Sequence, residues 1–134
     1  MLWNPRMTPM WPRREARKDW QKAEDLAARY LREKGYILLH RNLRLDRFEV
    51  DIVAKQGDTI VFVEVRSRTY DAILTPEETI QYTKRKHLRA AARRYIAWHG
   101  EPGCYYRFDV IGVVMAPKEE ARIHHIENAF TIAE

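Results

Sequence analysis

The chain has 134 residues, of which 46% are hydrophobic and 32% charged, which is typical of a globular domain and excludes a disordered chain. No apolar run approaches the roughly 20 residues that cross a bilayer, and the N-terminus lacks the apolar core of a signal peptide, so we expect a cytoplasmic protein without a membrane partner. The single cysteine, Cys104, excludes an internal disulfide, and the net charge of +5 favours a polyanionic partner such as nucleic acid.

The first element predicted is a helix. Residues 1–17 contain three prolines and two tryptophans without helical or strand periodicity, and we interpret them as a flexible basic extension to a single domain over residues 18–134. From Asp19, a candidate N-cap, apolar residues recur at helical spacing as far as Gly35. Glu24 lies at the edge of this stripe, as either an ordinary boundary residue or a carboxylate directed into a site beside the sheet.

A strand and a β-hairpin are predicted next. Residues 36–40 form the strand, and two runs rich in β-branched and aromatic residues, 48–55 and 59–66, flank the turn signal Gly57-Asp58. If these two residues form the loop, the register of the whole hairpin follows from it.

That register puts Asp51 opposite Glu64, on a face that also carries Glu49 and Arg66. Directly opposed Cβ atoms lie roughly 5 Å apart, so two carboxylates there repel each other unless a cation or a proton joins them. Mg²⁺ or Mn²⁺ suits such a pair, and a site that cleaves phosphodiesters needs the cation to activate water and neutralise the phosphate. The alternative is a solvated face on which Glu49 pairs with Arg66. Apolar residues further along the same face predict partial burial, which favours the metal.

The second half of the chain begins with a strong helix start. Thr75-Pro76-Glu77-Glu78 combines an N-cap, a proline at the first helical position and a capping glutamate, and the helical region continues to Gly100 with a break near Tyr82-Thr83. Its basic residues, among them Lys84 and Arg85, fit either a polyanion-binding surface or a solvated helix face.

Two later strands, residues 106–111 and 123–126, complete the order α-β-β-β-α-β-β, which indicates an α/β sandwich with helices packed on a mixed sheet. Asp109 is interpreted as a structural partner rather than a third metal ligand. His124 and His125 are neighbours on a strand and face opposite sides, so we assign neither to a metal.

Seven segments between residues 19 and 130 resemble, in order and spacing, the YraN-type family of predicted bacterial endonucleases. They are Glu24, Arg41-Asn42-Leu43-Arg44, Glu49-Val50-Asp51, Phe62-Val63-Glu64-Val65-Arg66, Thr75-Pro76-Glu77-Glu78 with Lys84, Arg107-Phe108-Asp109-Val110 and His125-Ile126-Glu127-Asn128-Ala129-Phe130. That family is assigned to the restriction-endonuclease-like PD-(D/E)XK superfamily, which also contains archaeal Holliday-junction resolvases.

The resemblance implies a restriction-endonuclease-like sandwich, a mixed central β-sheet flanked by helices, that acts on DNA. It implies that Asp51 and Glu64 hold Mg²⁺ or Mn²⁺ and that Glu24 assists from the first helix. The nucleic-acid contacts expected beside them are Lys84, Arg85 and Arg44.

The chain departs from the family pattern at two positions. Arg66 stands where the signature has lysine, and because arginine stays charged at any usable pH, it would orient the nucleophile or stabilise the transition state rather than act as a base. Phe48 stands where the family usually has glycine and is expected to narrow the approach to the strand.

We therefore predict a metal-dependent DNA endonuclease, with branched DNA as a candidate substrate. Cutting a branched junction would require a homodimer that places two sites symmetrically. The alternative is a non-catalytic nucleic-acid-binding module on the same fold, which uses the basic helix from Lys84 to Arg94. A third hypothesis is a protein-interaction adaptor that uses the tryptophan-rich N-terminus.

Overall fold

The computed structural model describes residues 10–69 and 82–132 of the chain, with side chains from Trp20 onward. The described elements follow the order predicted from the sequence, α-β-β-β-α-β-β. They are α1 (Met10–Glu33), β1 (Ile37–Leu45), β2 (Phe48–Gln56), β3 (Thr59–Thr69), α2 (Tyr82–His99), β4 (Tyr105–Met115) and β5 (Arg122–Phe130). The helix start predicted at Thr75 lies outside the described residues.

The five described strands form one mixed sheet in the order β1-β2-β3-β4-β5. Strands β3 and β4 are parallel, and the other neighbours are antiparallel. Parallel neighbours require a crossover connection, and α2 lies in the segment that makes it. The prediction of a mixed α/β fold is confirmed.

The helices cover opposite faces of the sheet, which gives three layers. Against one face, α1 packs a strip of small residues, Ala23, Ala27 and Ala28, that lets the helix approach the strands closely. Against the other face, α2 packs Leu88 and Tyr95. Side chains of each strand point alternately to the two faces of the sheet, and each helix buries its apolar stripe against one of these faces. Neither described helix has the length and apolar character needed to cross a membrane.

Helix α1 begins earlier than the sequence predicted. It starts at Met10, so Asp19 lies inside the helix and its interpretation as an N-cap is wrong. Pro12 falls in the first turn, where proline is tolerated because the backbone N–H groups there lack intrahelical partners in any case. Residues 1–9 of the predicted extension lie outside the described residues.

The hairpin forms in the predicted register, with Gln56 paired with Thr59. Gly57 has φ of +60°, a conformation that glycine adopts without steric cost. The ladder continues to the pair of Ile52 and Val63 and goes no further.

The predicted backbone pairing of Asp51 with Glu64 is therefore not formed, because the two strands separate at this point. Val50 and Val53 both pack on the α2 side, so the alternation of side chains shifts between them. At the shift, Asp51 Oδ2 accepts a 2.8 Å hydrogen bond from the backbone N–H of Val65. A side-chain carboxylate has taken the place of a backbone carbonyl, and the opening between β2 and β3 follows from it.

Candidate active site

An open cleft of about 460 Å³ lies where β2 and β3 separate. Its walls come from α1, β2, β3 and the start of α2. The cleft is lined by Trp20, Glu49, Asp51, Glu64, Val65, Arg66, Ser67, Arg68 and Lys84. Four residues that the sequence nominated for catalysis or nucleic-acid contact, Asp51, Glu64, Arg66 and Lys84, are thus brought together by the fold.

Asp51 and Glu64 are carboxylates on the cleft wall that are almost fully buried, with exposed fractions of 8% and 5%. Burial raises the pKa of both, and the negative charge of Asp51 raises that of Glu64 further. Lys84 is one compensating cation, and its Nζ lies 3.3 Å from Glu64 Oε2. The charges of Lys84 and Arg66 lower the pKa of Glu64, but burial and Asp51 keep it above the ordinary value, so this part of the cleft favours an additional positive charge.

Glu24 is a third buried acid behind the same site. Its exposed fraction is 1%, and no described residue makes a hydrogen bond of good geometry to either carboxylate oxygen, although Asn42 lies close enough to lower its pKa in part. The Arg41 guanidinium is 3.7 Å away but makes its shorter contact, 2.7 Å, with Asp25. Burial, and after it the charge of Asp51, raises the pKa of Glu24 to about 7. Glu24 is not among the described residues that line the cleft, but it is close enough to Asp51 for the two charges to interact, and its role in the site stays a prediction.

The rim of the cleft is cationic. Arg66 and Arg68 are half-buried residues of β3 that point to the same side by strand alternation. Burial lowers the pKa of Arg68, and the positive charge of Arg66 lowers it further, so the two guanidinium groups repel each other. An anion between them would relieve that repulsion. Sequence reasoning missed Arg68, although its two-residue spacing from Arg66 was a usable signal.

The remaining predicted contacts, Arg44 and Arg85, are not among the described residues that line the cleft. Arg44 is exposed near the end of β1, where its Nε donates to the carbonyl oxygen of Asp46 at 3.4 Å. Arg85 is half-buried and follows Lys84 on α2. Their predicted role in binding nucleic acid stays a prediction, at positions beyond the cleft wall.

Phe48 does not narrow the cleft, which corrects the expectation drawn from the missing glycine. Its ring is buried in the core on the α2 side. The guanidinium carbons of Arg47 and Arg94 lie 5.3 Å and 4.6 Å from the ring centroid. Phe48 therefore stabilises the packing of α2 and leaves the approach to Asp51 open.

A second polar cluster centres on Asp109, on β4. Arg107 donates two hydrogen bonds of 2.8 Å to its carboxylate, His125 Nε2 lies 2.7 Å from Oδ2, and the backbone N–H of Asn128 donates at 3.0 Å. Burial alone would raise the pKa of Asp109, but these hydrogen bonds lower it below the ordinary value. Among the described residues, Asp109, His125 and Glu127 place potential metal-ligating atoms within 4.8 Å of one another.

The carboxylate of Asp109 is engaged within the protein, because each of its oxygens accepts a hydrogen bond from Arg107. The network continues from His125 Nδ1 to the Tyr30 hydroxyl on α1, at 3.1 Å. The interpretation of Asp109 as a structural partner agrees with these contacts. His125 faces inward while His124 is exposed, as strand alternation predicts.

The amino-acid sequence is similar to that of proteins from one known family. The sequence profile of the Uncharacterised protein family UPF0102 matches residues 23–113, about two thirds of the chain. The chain belongs to the UPF0102 family. A UPF0102 protein of Caldicellulosiruptor saccharolyticus is 44% identical over 108 residues, which cover 80% of this chain and 92% of the relative.

Two further UPF0102 proteins show similar agreement. That of Moorella thermoacetica is 41% identical over 115 residues, covering 85% of this chain and 96% of the relative. That of Chlorobium chlorochromatii is 38% identical over 117 residues, covering 84% and 90%. The profile match contains every residue of the cleft wall except Trp20. The UPF0102 description names no activity, so the expected endonuclease activity enters below as a proposal.

Proposed function

We propose that the protein is a metal-dependent endonuclease that hydrolyses phosphodiester bonds of DNA in the cleft between β2 and β3. The observation that carries the proposal is the meeting of two buried carboxylates, Asp51 and Glu64, with a cationic rim in an open cleft. Acidic groups for a cation and basic groups for a phosphate are the two requirements of metal-assisted phosphodiester hydrolysis.

The residues present fit a divalent cation. Neither oxygen of Glu24 accepts a hydrogen bond of good geometry from a described residue, and the charge of Lys84 acts on both Asp51 and Glu64. Three acids with raised pKa values in one place are the signature of a site short of positive charge. Carboxylate oxygens are the ligands that Mg²⁺ and Mn²⁺ prefer, and Asp51 and Glu64 would hold the ion. When bound, it would neutralise charge on the phosphate and lower the pKa of a coordinated water.

The surrounding residues would position the substrate. The hydrogen bond from the Val65 N–H holds the Asp51 carboxylate in one orientation. Arg66 stays protonated at any usable pH, so it would bind the phosphate and stabilise the negative charge that develops during hydrolysis. Lys84, which lies on the rim beside Glu64, would contact the DNA backbone. The pKa values of Glu24 and Glu64 are both raised to about 7, and Glu24, which is not assigned to the ion, is the one left to accept a proton near neutral pH.

The test is the cleavage of labelled linear, flapped and four-way DNA in Mg²⁺ or Mn²⁺ by the wild type and by Asp51→Asn and Glu64→Gln. We expect each substitution to lower the cleavage rate by a factor on the order of 100 or more, because each removes a ligand charge from the ion. Glu33→Gln makes the same chemical change at an exposed site on α1 and serves as the control. Undiminished cleavage by both cleft variants, or cleavage in the presence of a chelator, would contradict the proposal.

Arg66 in the lysine position favours a second candidate, a nucleic-acid-binding module that does not cleave. It predicts DNA binding whose affinity falls steeply with salt, as counterions are released from the phosphates, and that does not require a divalent metal. Salt-sensitive binding without any cleavage in Mg²⁺ or Mn²⁺ would favour the module over the endonuclease.

A further inference from the structure

Trp20 is a large aromatic side chain on the wall of the candidate active site. It lies on α1 one turn before Glu24 and lines the same cleft as Asp51, Glu64 and Lys84. Its exposed fraction is 39%, which makes it one of the large apolar side chains that the described part of the chain leaves exposed. Part of the indole surface is therefore open to solvent on the wall of the cleft.

The neighbours of Trp20 define the chemistry of a ligand that would fit it. Arg66, Arg68 and Lys84 line the same cleft and supply positive charge. Proteins that bind single-stranded nucleic acid combine a basic groove, which follows the backbone, with aromatic side chains on which bases stack. A cleft with carboxylates, cations and an indole has a place for a metal ion, a phosphate and a base.

We propose that Trp20 is a stacking platform for an unpaired base next to the phosphate bound in the cleft, so that the cleft takes a single-stranded or flapped strand in preference to intact duplex. The inference rests on the proposed function in so far as nucleic acid occupies the cleft. Inside an intact duplex both faces of each base are covered by neighbouring base pairs, and an indole finds no free surface. An unpaired base offers a free face to the indole, and no base pair has to be unstacked to expose it.

The experiment measures binding rather than cleavage, in a chelator. A labelled oligothymidine and a duplex of the same length are titrated, by fluorescence anisotropy, with the wild type, Trp20→Ala and Trp20→Phe. We expect Trp20→Ala to weaken single-strand binding about tenfold and duplex binding by less than about twofold, and Trp20→Phe to retain most of the affinity, because a phenyl ring still stacks. Trp98→Ala, at an exposed tryptophan near the end of α2, is the matched control and should bind like the wild type.

A series of oligonucleotides, each with one abasic position, then identifies the base. One abasic position should weaken binding by the wild type about tenfold and leave binding by Trp20→Ala unchanged, since the partner of that base has already been removed. Equal losses for both proteins at every position would overturn the stacking role, as would equal weakening of single-strand and duplex binding.

The outcomes separate this inference from the proposed function. Undiminished cleavage by Asp51→Asn and Glu64→Gln, together with coupling between Trp20 and one base, would contradict the proposed chemistry and support the stacking role. Cleavage that depends on both carboxylates, together with no coupling at any abasic position, would overturn the stacking role alone. A wild type that binds neither single strand nor duplex in the chelator, and that cleaves no DNA in Mg²⁺ or Mn²⁺, would overturn both.

Discussion

Replacing Glu24 with glutamine should stabilise the metal-free protein at pH 8 and have a much smaller effect, below about 1 kcal/mol, at pH 5. Glu24 is fully buried without a hydrogen bond of good geometry from the described residues, and its pKa is raised from 4.5 to about 7, mainly by burial. Well below pH 4.5 it is protonated in both the folded and the unfolded chain. As pH rises towards 7, the unfolded chain ionises first, so the folded state loses stability over that window.

The magnitude follows from the pKa values. A difference between 4.5 and about 7, at 1.36 kcal/mol for each unit of pKa, corresponds to about 3 kcal/mol of folding free energy that is lost between pH 4.5 and pH 7. Glutamine is neutral at every pH and avoids this loss. At pH 8 the variant should therefore be more stable than the wild type by up to about 3 kcal/mol, or roughly 10 °C in Tm.

The assay is urea unfolding at pH 5 and pH 8 in a chelator, followed by circular dichroism. Glu33→Gln, at an exposed position of the same helix, should change stability by less than about 0.5 kcal/mol at either pH. Asp51 and Glu64 also have raised pKa values, so they too make the folded protein less stable as pH rises. Both are present in Glu24→Gln and in the wild type, so the difference in unfolding free energy between the two proteins reports on Glu24. Equal stability of Glu24→Gln and the wild type at pH 8 would refute the assignment of Glu24 as a buried acid that Arg41 compensates only in part.

Two further predictions concern residues outside the cleft. Phe48→Ala should lower the free energy of unfolding in urea by about 3–5 kcal/mol, because it leaves a cavity in the core under α2. DNA binding by the folded protein should be unchanged. Weaker binding would mean that the ring contributes to the cleft. Arg107→Ala should lower the free energy of unfolding by about 3–5 kcal/mol near pH 7, because it leaves the buried Asp109 without its bidentate cation. The difference from the wild type should shrink in acid, where Asp109 is protonated. A loss of stability that stays constant down to pH 3 would indicate lost packing instead.

The hairpin was predictable because one local signal determines it. Gly57-Asp58 fixes the turn, and strand pairing then follows in steps of one residue as far as Ile52 and Val63. The signal fails at Asp51, where a side chain replaces the backbone as the acceptor for Val65. Turn geometry carries no information about that substitution, and so the sequence predicted which carboxylates meet but not that the strands separate around them.

The Asp109 network was not predictable for a different reason. The register between β4 and β5 shifts between Phe108 and Val110, and Asn128, with φ of +53°, lies where it can donate its N–H to Asp109. A shift of this kind breaks the simple pairing rule. The partner on α1, Tyr30, is 95 residues from His125 in sequence, and no periodicity links two such positions.

That same separation has a consequence for the order in which the domain can assemble. The hairpin of β2 and β3 is a local structure and can form while later parts of the chain are still being synthesised. The buried carboxylate of Asp109 on β4 contacts Arg107 on its own strand and His125 on β5. His125 also contacts the Tyr30 hydroxyl on α1. The turn end of the hairpin can therefore pair early on the ribosome, whereas Asp51 and Glu64, which lie beyond the last hairpin pair, depend on a sheet that closes only when β5 has emerged.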